Sequence, residues 1–167
     1  MSTAPASETL EKSIMKYNEW TFSSYDSDVK HKVADIRLYS DDMEKIEIEL
    51  KPVYTDSSGN GVMTWEDWNH YDSIRIYKTD YERLMLSAIN SLFPVKDPDP
   101  NGFGIQESFD LTSVNFFGKD DWQRLIANLT DCMKKADKDE YEFYHVVLEF
   151  FNDSLTVSEW FCIEGNL

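Results

Sequence analysis

The chain has 167 residues, with 32 Asp and Glu against 16 Lys and Arg, so its formal net charge at pH 7 is −16. This excess of carboxylates repels phosphate backbones and anionic lipid headgroups, which argues against nucleic-acid binding and electrostatic membrane docking. Basic proteins are the partners that such a charge favours. The hydrophobic fraction of 41% is large enough for a folded core.

Cysteine content and the N-terminal residues predict a cytoplasmic protein. The two cysteines, Cys132 and Cys162, are too few for a disulfide framework and lack zinc-binding spacing. We find no basic segment followed by an apolar run, and no stretch near the roughly 18 apolar residues of a membrane span. Residues 1–8 are small and polar and are expected to form a flexible tail, with residues 9–167 forming one domain.

In chain order, the first predicted elements are a short helix and an antiparallel hairpin. Apolar residues at helical spacing predict the helix within residues 10–17. Alternation of apolar and polar residues over 32–39, and again over 45–51, predicts two strands. In the second strand the charged side chains share one face and the apolar side chains the other. A turn between them gives a hairpin over 32–51.

A third strand and a helix are predicted next. Residues 73–77 alternate as a short strand. Thr79 and Glu82 match a capping box, in which the hydroxyl and the carboxylate satisfy amides of the first turn. We therefore expect a helix over 80–93, ending before Pro94 because the residue that precedes a proline avoids helical angles.

The remaining segments comprise a loop, a strand, a second main helix and an ambiguous stretch. Residues 94–104 read as a loop, residues 113–117 as a strand, and the apolar spacing over 119–136 predicts the helix. Alternating apolar residues over 142–163 predict a second hairpin, and a helix from Tyr141 to Phe151 is the alternative. The whole predicts an α+β fold: a mostly antiparallel sheet of about five or six strands built from hairpins, with the two main helices packed on one face.

No familiar catalytic motif occurs in the sequence. A nucleophile elbow, a phosphate-binding glycine loop and a zinc-protease helix are all missing. His145 and Cys162 would approach each other across the predicted C-terminal hairpin, but a cysteine in such an apolar setting is more often a small buried hydrophobe. We therefore predict that the protein is not an enzyme and needs no cofactor, and keep an acid pair in a cleft as a minor alternative.

Two acidic loops have the spacing of a calcium site. In the first, oxygen donors at positions 1, 3, 5 and 12 accompany Gly61 at position 6. These donors are Asp56, Ser58, Asn60 and Asp67. A second loop from Asp97 begins in the same way but has Ser108 at position 12. Turns rich in Asp and Asn explain both loops without a metal, and this is the preferred interpretation. A calcium-responsive module that uses the first loop is kept as an alternative.

Aromatic and acidic residues together suggest an interface with a protein partner. Residues 139–167 contain seven acids and no Lys or Arg, and residues 65–72 have a similar character. In the predicted hairpin, Phe143, Glu149 and Phe151 share the outward face. The predicted partner-binding residues are Trp65, Glu66, Asp67, Trp68, Tyr71, Asp72, Phe143, Glu149, Phe151, Asp153 and Glu159.

We expect an acidic intracellular protein that binds and occludes a basic partner. Carboxylates held on a rigid sheet pair with the Lys and Arg that would otherwise hold substrate phosphates, and they accelerate association. Nuclease inhibitors and bacterial immunity proteins act in this mode, and an immunity protein that neutralises a toxin such as a nuclease is the preferred hypothesis. A non-catalytic structural adaptor, held by apolar contacts that survive high salt, is the other alternative.

Overall fold

The computed structural model describes residues 21–22, 32–56, 68 and 70–167. The predicted tail over residues 1–8 and the predicted first helix over residues 10–17 lie outside the described residues. The strands are β1 (Thr21–Phe22), β2 (Lys32–Ile36), β3 (Glu47–Pro52), β4 (Ser73–Tyr77), β5 (Val95–Lys96), β6 (Ile105–Gln106), β7 (Val114–Phe117) and β8 (Phe161–Gly165). The helices are α1 (Lys78–Leu84), α2 (Leu86–Asn90), α3 (Lys119–Lys134) and α4 (Lys138–Leu155).

The predicted α+β class is confirmed, and the main sheet is mixed. Its strand order is β1-β2-β4-β3-β8-β7, and a separate pair is formed by β5 and β6. The pairing of β2 with β4 is parallel, whereas the other ladders are antiparallel. Four helices accompany the sheet in the described part of the chain, so the predicted arrangement of two helices is too simple.

The predicted hairpin over residues 32–51 is wrong, although both of its strands exist. β4 lies between β2 and β3, and Ile76 is paired with Ile36 on one side and with Ile48 on the other. Four of the five residues of β4 are buried. A strand with so little polar surface gains most at the centre of a sheet, and this long-range preference overrides the short turn between β2 and β3.

The helix predicted over residues 80–93 begins earlier and is interrupted. It starts at Lys78 and breaks at Met85, which separates α1 from α2. The capping box is also wrong, because Thr79 lies inside the first turn and its amide and hydroxyl both donate to the carboxylate of Glu44. A side chain from the turn before β3 therefore takes the role that the sequence pattern assigns to Glu82.

The predicted hairpin over residues 142–163 is wrong, and the alternative helix is confirmed. α4 occupies most of this stretch, and β8 follows it. The carboxylate of Asp137 accepts the amide of Glu140 at 2.9 Å and caps the helix. The buried residues of the helix recur at helical spacing. They are Phe143, Tyr144, Val147, Leu148, Phe151 and Ser154.

The core lies between the helices and one face of the main sheet. Ile48, Ile74 and Ile163 on this face belong to the same buried cluster as the inner faces of α3 and α4. The indole of Trp122 in α3 is stacked on Phe161 with ring centroids 4.3 Å apart. The predicted strand at 113–117 and helix at 119–136 correspond to β7 and α3. The opposite face of the sheet, called here the polar face, carries most of the charged side chains of the strands.

Candidate functional site

A groove of about 330 Å³ lies between the start of β4 and the C-terminal half of α4. Its floor is apolar and includes Ile36, Ile74, Val146 and Phe150. Its rim is formed by Tyr71, Asp72, Glu149 and Asp153. We call this feature the acidic groove, because it combines an apolar floor with three carboxylates.

The three rim carboxylates come from two elements that are distant in sequence. Asp72 immediately precedes β4 and accepts the backbone amide of Lys32 at 3.0 Å. Glu149 and Asp153 are one turn apart on α4, and both are exposed. Among the described residues that line the groove, none is Lys or Arg. The groove therefore has a negative rim with no lining cation to offset it.

Tyr71 links the two sides of the acidic groove. Its hydroxyl donates to the carbonyl oxygen of Val157, just beyond α4, at 3.1 Å. Partial burial raises the pKa of this phenol above its ordinary value. The ring of His70 lies 4.7 Å from the Tyr71 ring and 4.2 Å from the Tyr54 ring, measured between centroids. An aromatic group thus adjoins the acidic rim, as in many protein interfaces.

The structure brings four of the predicted partner-binding residues together, and the other described members of the set, Trp68, Phe143, Phe151 and Glu159, lie elsewhere. Tyr71, Asp72, Glu149 and Asp153 line the acidic groove. Glu159 is exposed elsewhere, with its carboxylate 3.8 Å from the ammonium of Lys119. The predicted residues that lie outside the described part of the chain are Trp65, Glu66 and Asp67.

Phe143 and Phe151 do not face outward, so the predicted orientation of these two residues is wrong. Both side chains are 0% exposed and belong to the main core. The error follows from the period assigned to this stretch, because alternation places these residues opposite Tyr144 whereas helical spacing places them beside it. Glu149 is exposed under either interpretation, with 69% of its side-chain surface accessible.

A second concavity, of about 430 Å³, lies on the polar face beside β7 and β8. Aromatic walls come from Trp68, Phe103 and Phe116, and carboxylates come from Asp97, Asp99 and Glu164. We call it the aromatic pocket. The sequence predicts Trp68 here as a partner-binding residue, and the loop from Asp97 only as a calcium-like loop. The signal that could have revealed the rest is Phe103, a large aromatic residue between two glycines in an acidic loop, where it is 62% exposed.

The loop that carries Phe103 is closed by Asp97. The buried carboxylate accepts the amides of Asp99 and Phe103, each at 2.8 Å. A side chain at Gly102 would place its Cβ 2.2 Å from the carboxylate oxygen of Asp97 that accepts the Phe103 amide, so any larger residue would have to displace this carboxylate. These bonds support the turn interpretation of this acidic loop over a metal site. In the other loop, Ser58, Asn60 and Asp67 lie outside the described residues.

Arg75 organises a charged network on the polar face. Its Nε lies 3.3 Å from a carboxylate oxygen of Glu47 and 3.5 Å from one of Glu49, and its Nη1 lies 3.9 Å from Asp35. Burial, with smaller contributions from Glu49 and Asp35, raises the pKa of Glu47 to about 7 despite the nearby guanidinium. The network contains more carboxylates than cations, and the carboxylate of Glu47 titrates near neutral pH.

Cys162 is not placed for nucleophilic chemistry. It is 0% exposed in β8, and burial raises the pKa of its thiol to about 12. The thiolate that attack requires is therefore scarce at neutral pH. His145, its imagined partner, lies on the exposed side of α4, where its Nε2 is 3.8 Å from the carboxylate of Glu149.

Within the part of the chain that the structure describes, no cluster of three or more His, Cys, Asp or Glu side chains has the geometry to hold a metal ion. In the same residues, no helix combines the length and apolarity needed to cross a membrane. No known protein family, curated protein or solved structure matches the chain.

Proposed function

We propose that this protein binds a basic protein through the acidic groove and inhibits it by covering its Lys and Arg side chains. The preferred identity is an immunity-type inhibitor that neutralises a toxin such as a nuclease. The observation that carries the proposal is the rim of Asp72, Glu149 and Asp153 around an apolar floor, with no Lys or Arg among the described lining residues.

The charge of the groove supports fast and selective association. A negative concavity in a chain of net charge −16 attracts positive surfaces and repels acidic ones. The rim carboxylates are exposed, so they accelerate encounter and set orientation more than they add affinity.

The floor of the groove supports affinity. Phe150 and Val146 are half-buried, and Val157 beside them is 49% exposed. Apolar surface of this kind gains free energy when a partner covers it, at about 25 cal/mol per Å² of buried area. The hydrogen bond from Tyr71 to Val157 holds the two sides of the groove together before binding, which lowers the entropy lost on association.

Occlusion explains how binding would inhibit a nuclease. Enzymes that act on nucleic acids hold substrate phosphates with Lys and Arg. Carboxylates presented over an apolar patch compete for the same side chains. A partner inhibited in this way would lose substrate binding, and its catalytic groups would be left chemically intact.

The test compares two variants of equal charge. The groove variant carries Asp72→Asn, Glu149→Gln and Asp153→Asn, and the amide side chain introduced at position 72 keeps an oxygen to accept the Lys32 amide. The control variant carries Asp42→Asn, Glu82→Gln and Asp131→Asn, at exposed acids that do not line the groove. A basic partner is captured from lysate of the native host with the unaltered protein, and association is measured with all three at increasing salt.

We expect the groove variant to associate about tenfold more slowly at low salt and the control variant to stay within about twofold of the unaltered protein. The partner's own activity should be suppressed by the unaltered protein and restored by the groove variant. Equal slowing by both variants would reduce the groove to a general charge effect and contradict the proposal. Binding that is insensitive to salt would favour the structural adaptor.

A further inference from the structure

We propose that the aromatic pocket binds the guanidinium group of an arginine side chain, at a site separate from the acidic groove. The two concavities share no lining residue in the described part of the chain. The proposed function requires only the acidic groove, so a second site that is specific for guanidinium goes beyond it. Arginine on a basic partner is the natural source of this group, and to that extent the inference rests on the proposed function.

The walls of the pocket suit a flat cation. The ring centroids of Phe103 and Phe116 are 5.9 Å apart, and those of Trp68 and Phe116 are 6.3 Å apart at an interplanar angle of 81°. Phe116 therefore contacts both of the other rings, and the ammonium of Lys51 already lies over the Trp68 ring. Aromatic faces attract cations through their quadrupole, and the planar guanidinium both stacks on such faces and donates hydrogen bonds from its edge.

The pocket also contains carboxylates to receive those hydrogen bonds. Asp99 and Glu164 are half-buried at its sides, and carboxylates are the acceptors that match the geometry of a guanidinium. The third carboxylate, Asp97, is already engaged by two backbone amides and serves to hold the loop. Lys51 lies close enough to Glu164 to offset part of this charge, but three carboxylates outnumber the one cation, so charge complementarity favours a cationic occupant over a neutral or acidic one.

One wall of the pocket already holds a cation of the chain itself, which leaves Phe103 and the carboxylates to receive a second. The buried ammonium of Lys51 lies 4.3 Å from the centroid of the Trp68 ring, and 3.6 Å from a carboxylate oxygen of Glu49. A cation held between this indole and a carboxylate is thus already part of the folded protein. The volume of about 430 Å³ lies within the range of small-ligand pockets, which is roughly 300–1,000 Å³.

The walls of the pocket are held in place by the folded chain. The side chain is exposed at the mouth of the pocket, whereas its backbone amide is fixed by Asp97 at 2.8 Å. Trp68 and Val114 pack against a small buried cluster of Val53, Phe116, Trp160 and Cys162, which fixes the opposite wall. The pocket is therefore largely formed before a ligand arrives, and this preorganisation favours binding.

The test is a titration of the isotopically labelled full chain with short peptides, followed by NMR chemical shifts. The probe is a capped Ala-Arg-Ala tripeptide, and the matched control is the same peptide with citrulline, which keeps the shape of arginine and lacks its charge. We expect weak, saturable binding of the arginine peptide, with shifts at Trp68 and Phe103, and binding at least about fivefold weaker for citrulline.

Two variants and a matched control identify the groups responsible. Phe103→Leu keeps an apolar side chain without the aromatic face, and Glu164→Gln keeps the shape of the carboxylate without its charge. Each substitution is expected to lower the affinity for the arginine peptide about fivefold. Glu107→Gln, an exposed acid that does not line the pocket, is expected to change binding less than twofold.

Equal binding of the arginine and citrulline peptides would overturn the proposal, as would shifts that map outside the pocket. A lysine peptide that binds as tightly as the arginine peptide would overturn the assignment to guanidinium. These outcomes are independent of the groove. If the peptide fails while the groove variant still loses its partner, only the aromatic pocket is refuted, and the reverse result refutes only the groove.

Discussion

The buried carboxylate of Asp80 accepts the backbone amide of Leu38 at 2.9 Å, joining the first turn of α1 to the segment that follows β2. The same carboxylate accepts the amide of Tyr39 at 2.7 Å and the hydroxyl of Ser40 at 2.9 Å. One side chain thus satisfies three donors from a loop about forty residues away. This contact fixes the path of the chain as it leaves the sheet.

Replacing Asp80 is expected to destabilise the protein strongly. In Asp80→Asn, one carboxylate oxygen becomes an amide group that cannot accept, which leaves a buried donor without a partner. The expected loss in free energy of unfolding is about 2–3 kcal/mol, measured by urea denaturation. Glu82→Gln, on the exposed side of the same helix, should cost about 0.5 kcal/mol or less. Equal effects of the two substitutions would contradict this role.

Phe151 is expected to act on stability because it is a core residue. Its ring centroid lies 4.5 Å from that of Trp122, and its side chain is fully buried. Phe151→Ala should lower the free energy of unfolding by about 3–5 kcal/mol, whereas Tyr141→Ala, on the exposed side of α4, should cost about 0.5 kcal/mol or less. Thermal or urea unfolding distinguishes them. A Phe151→Ala protein of unchanged stability would restore the outward orientation that alternation predicts.

Glu47 is expected to make stability depend on pH near neutrality. Its pKa is about 7 in the folded protein, above its ordinary value of 4.5, so the folded state binds the proton more tightly than the unfolded state does. Stability from this group is therefore fully present at pH values below about 4.5 and is lost as the pH rises through about 7. Burial is the main cause, and the Arg75 guanidinium only reduces the shift.

The measurement is urea denaturation at pH 5.5, 7 and 8.5. Other carboxylates also contribute to the pH dependence, so the informative quantity is the difference between variants. Glu47→Gln should lose less stability between pH 5.5 and pH 8.5 than the unaltered protein, and Glu82→Gln should lose as much as the unaltered protein. A Glu47→Gln protein with the full pH dependence would show that the group titrates elsewhere.

Gly165 is expected to tolerate no side chain. Its Cα lies so close to the segment around Leu111 that a Cβ would fall 2.1 Å from the backbone carbonyl oxygen of that residue. That same oxygen accepts the amide of Leu167 at 3.0 Å, so it cannot retreat without losing a hydrogen bond. Gly165→Ala should lower stability by about 1–3 kcal/mol in denaturation experiments. Unchanged stability would contradict this prediction, because it would mean that the backbone of residues 110–113 moves away from the added methyl group at little cost.

Local patterns in the sequence predict most of the individual elements. α3 is found within two residues of its predicted end because its apolar stripe has a single period and its flanking charges agree with the helix dipole. Which strands pair with one another in the sheet cannot be predicted from local patterns. The position of β4 between β2 and β3 depends on contacts across the sheet, and no turn signal encodes them.

The error in α4 has a different cause. Residues 143–151 satisfy a period of 2 when Tyr144 and Val146 are counted, and a period near 3.6 when Phe143 and Val147 are counted. Asp137 decides between them, because its side chain caps the first turn. Of the acidic groove, the exposed acids of its rim are predictable, since Glu149 and Asp153 remain exposed in either period, whereas the floor that joins them to Asp72 is not. The aromatic pocket is not predictable, because Phe103 and Glu164 meet only through the folded sheet.

The position of β8 between β3 and β7 also bears on how quickly the sheet can assemble. β3 and β8 are separated by more than a hundred residues, and the ladder between them runs from Ile48 opposite Gly165 to Pro52 opposite Phe161. Closing the long loop between these strands costs conformational entropy before their contacts stabilise the sheet. We therefore expect refolding on the slow timescale of proteins rich in non-local strand contacts, milliseconds to seconds. Until β8 arrives, β3 presents an open edge, and folding intermediates would be prone to associate through it.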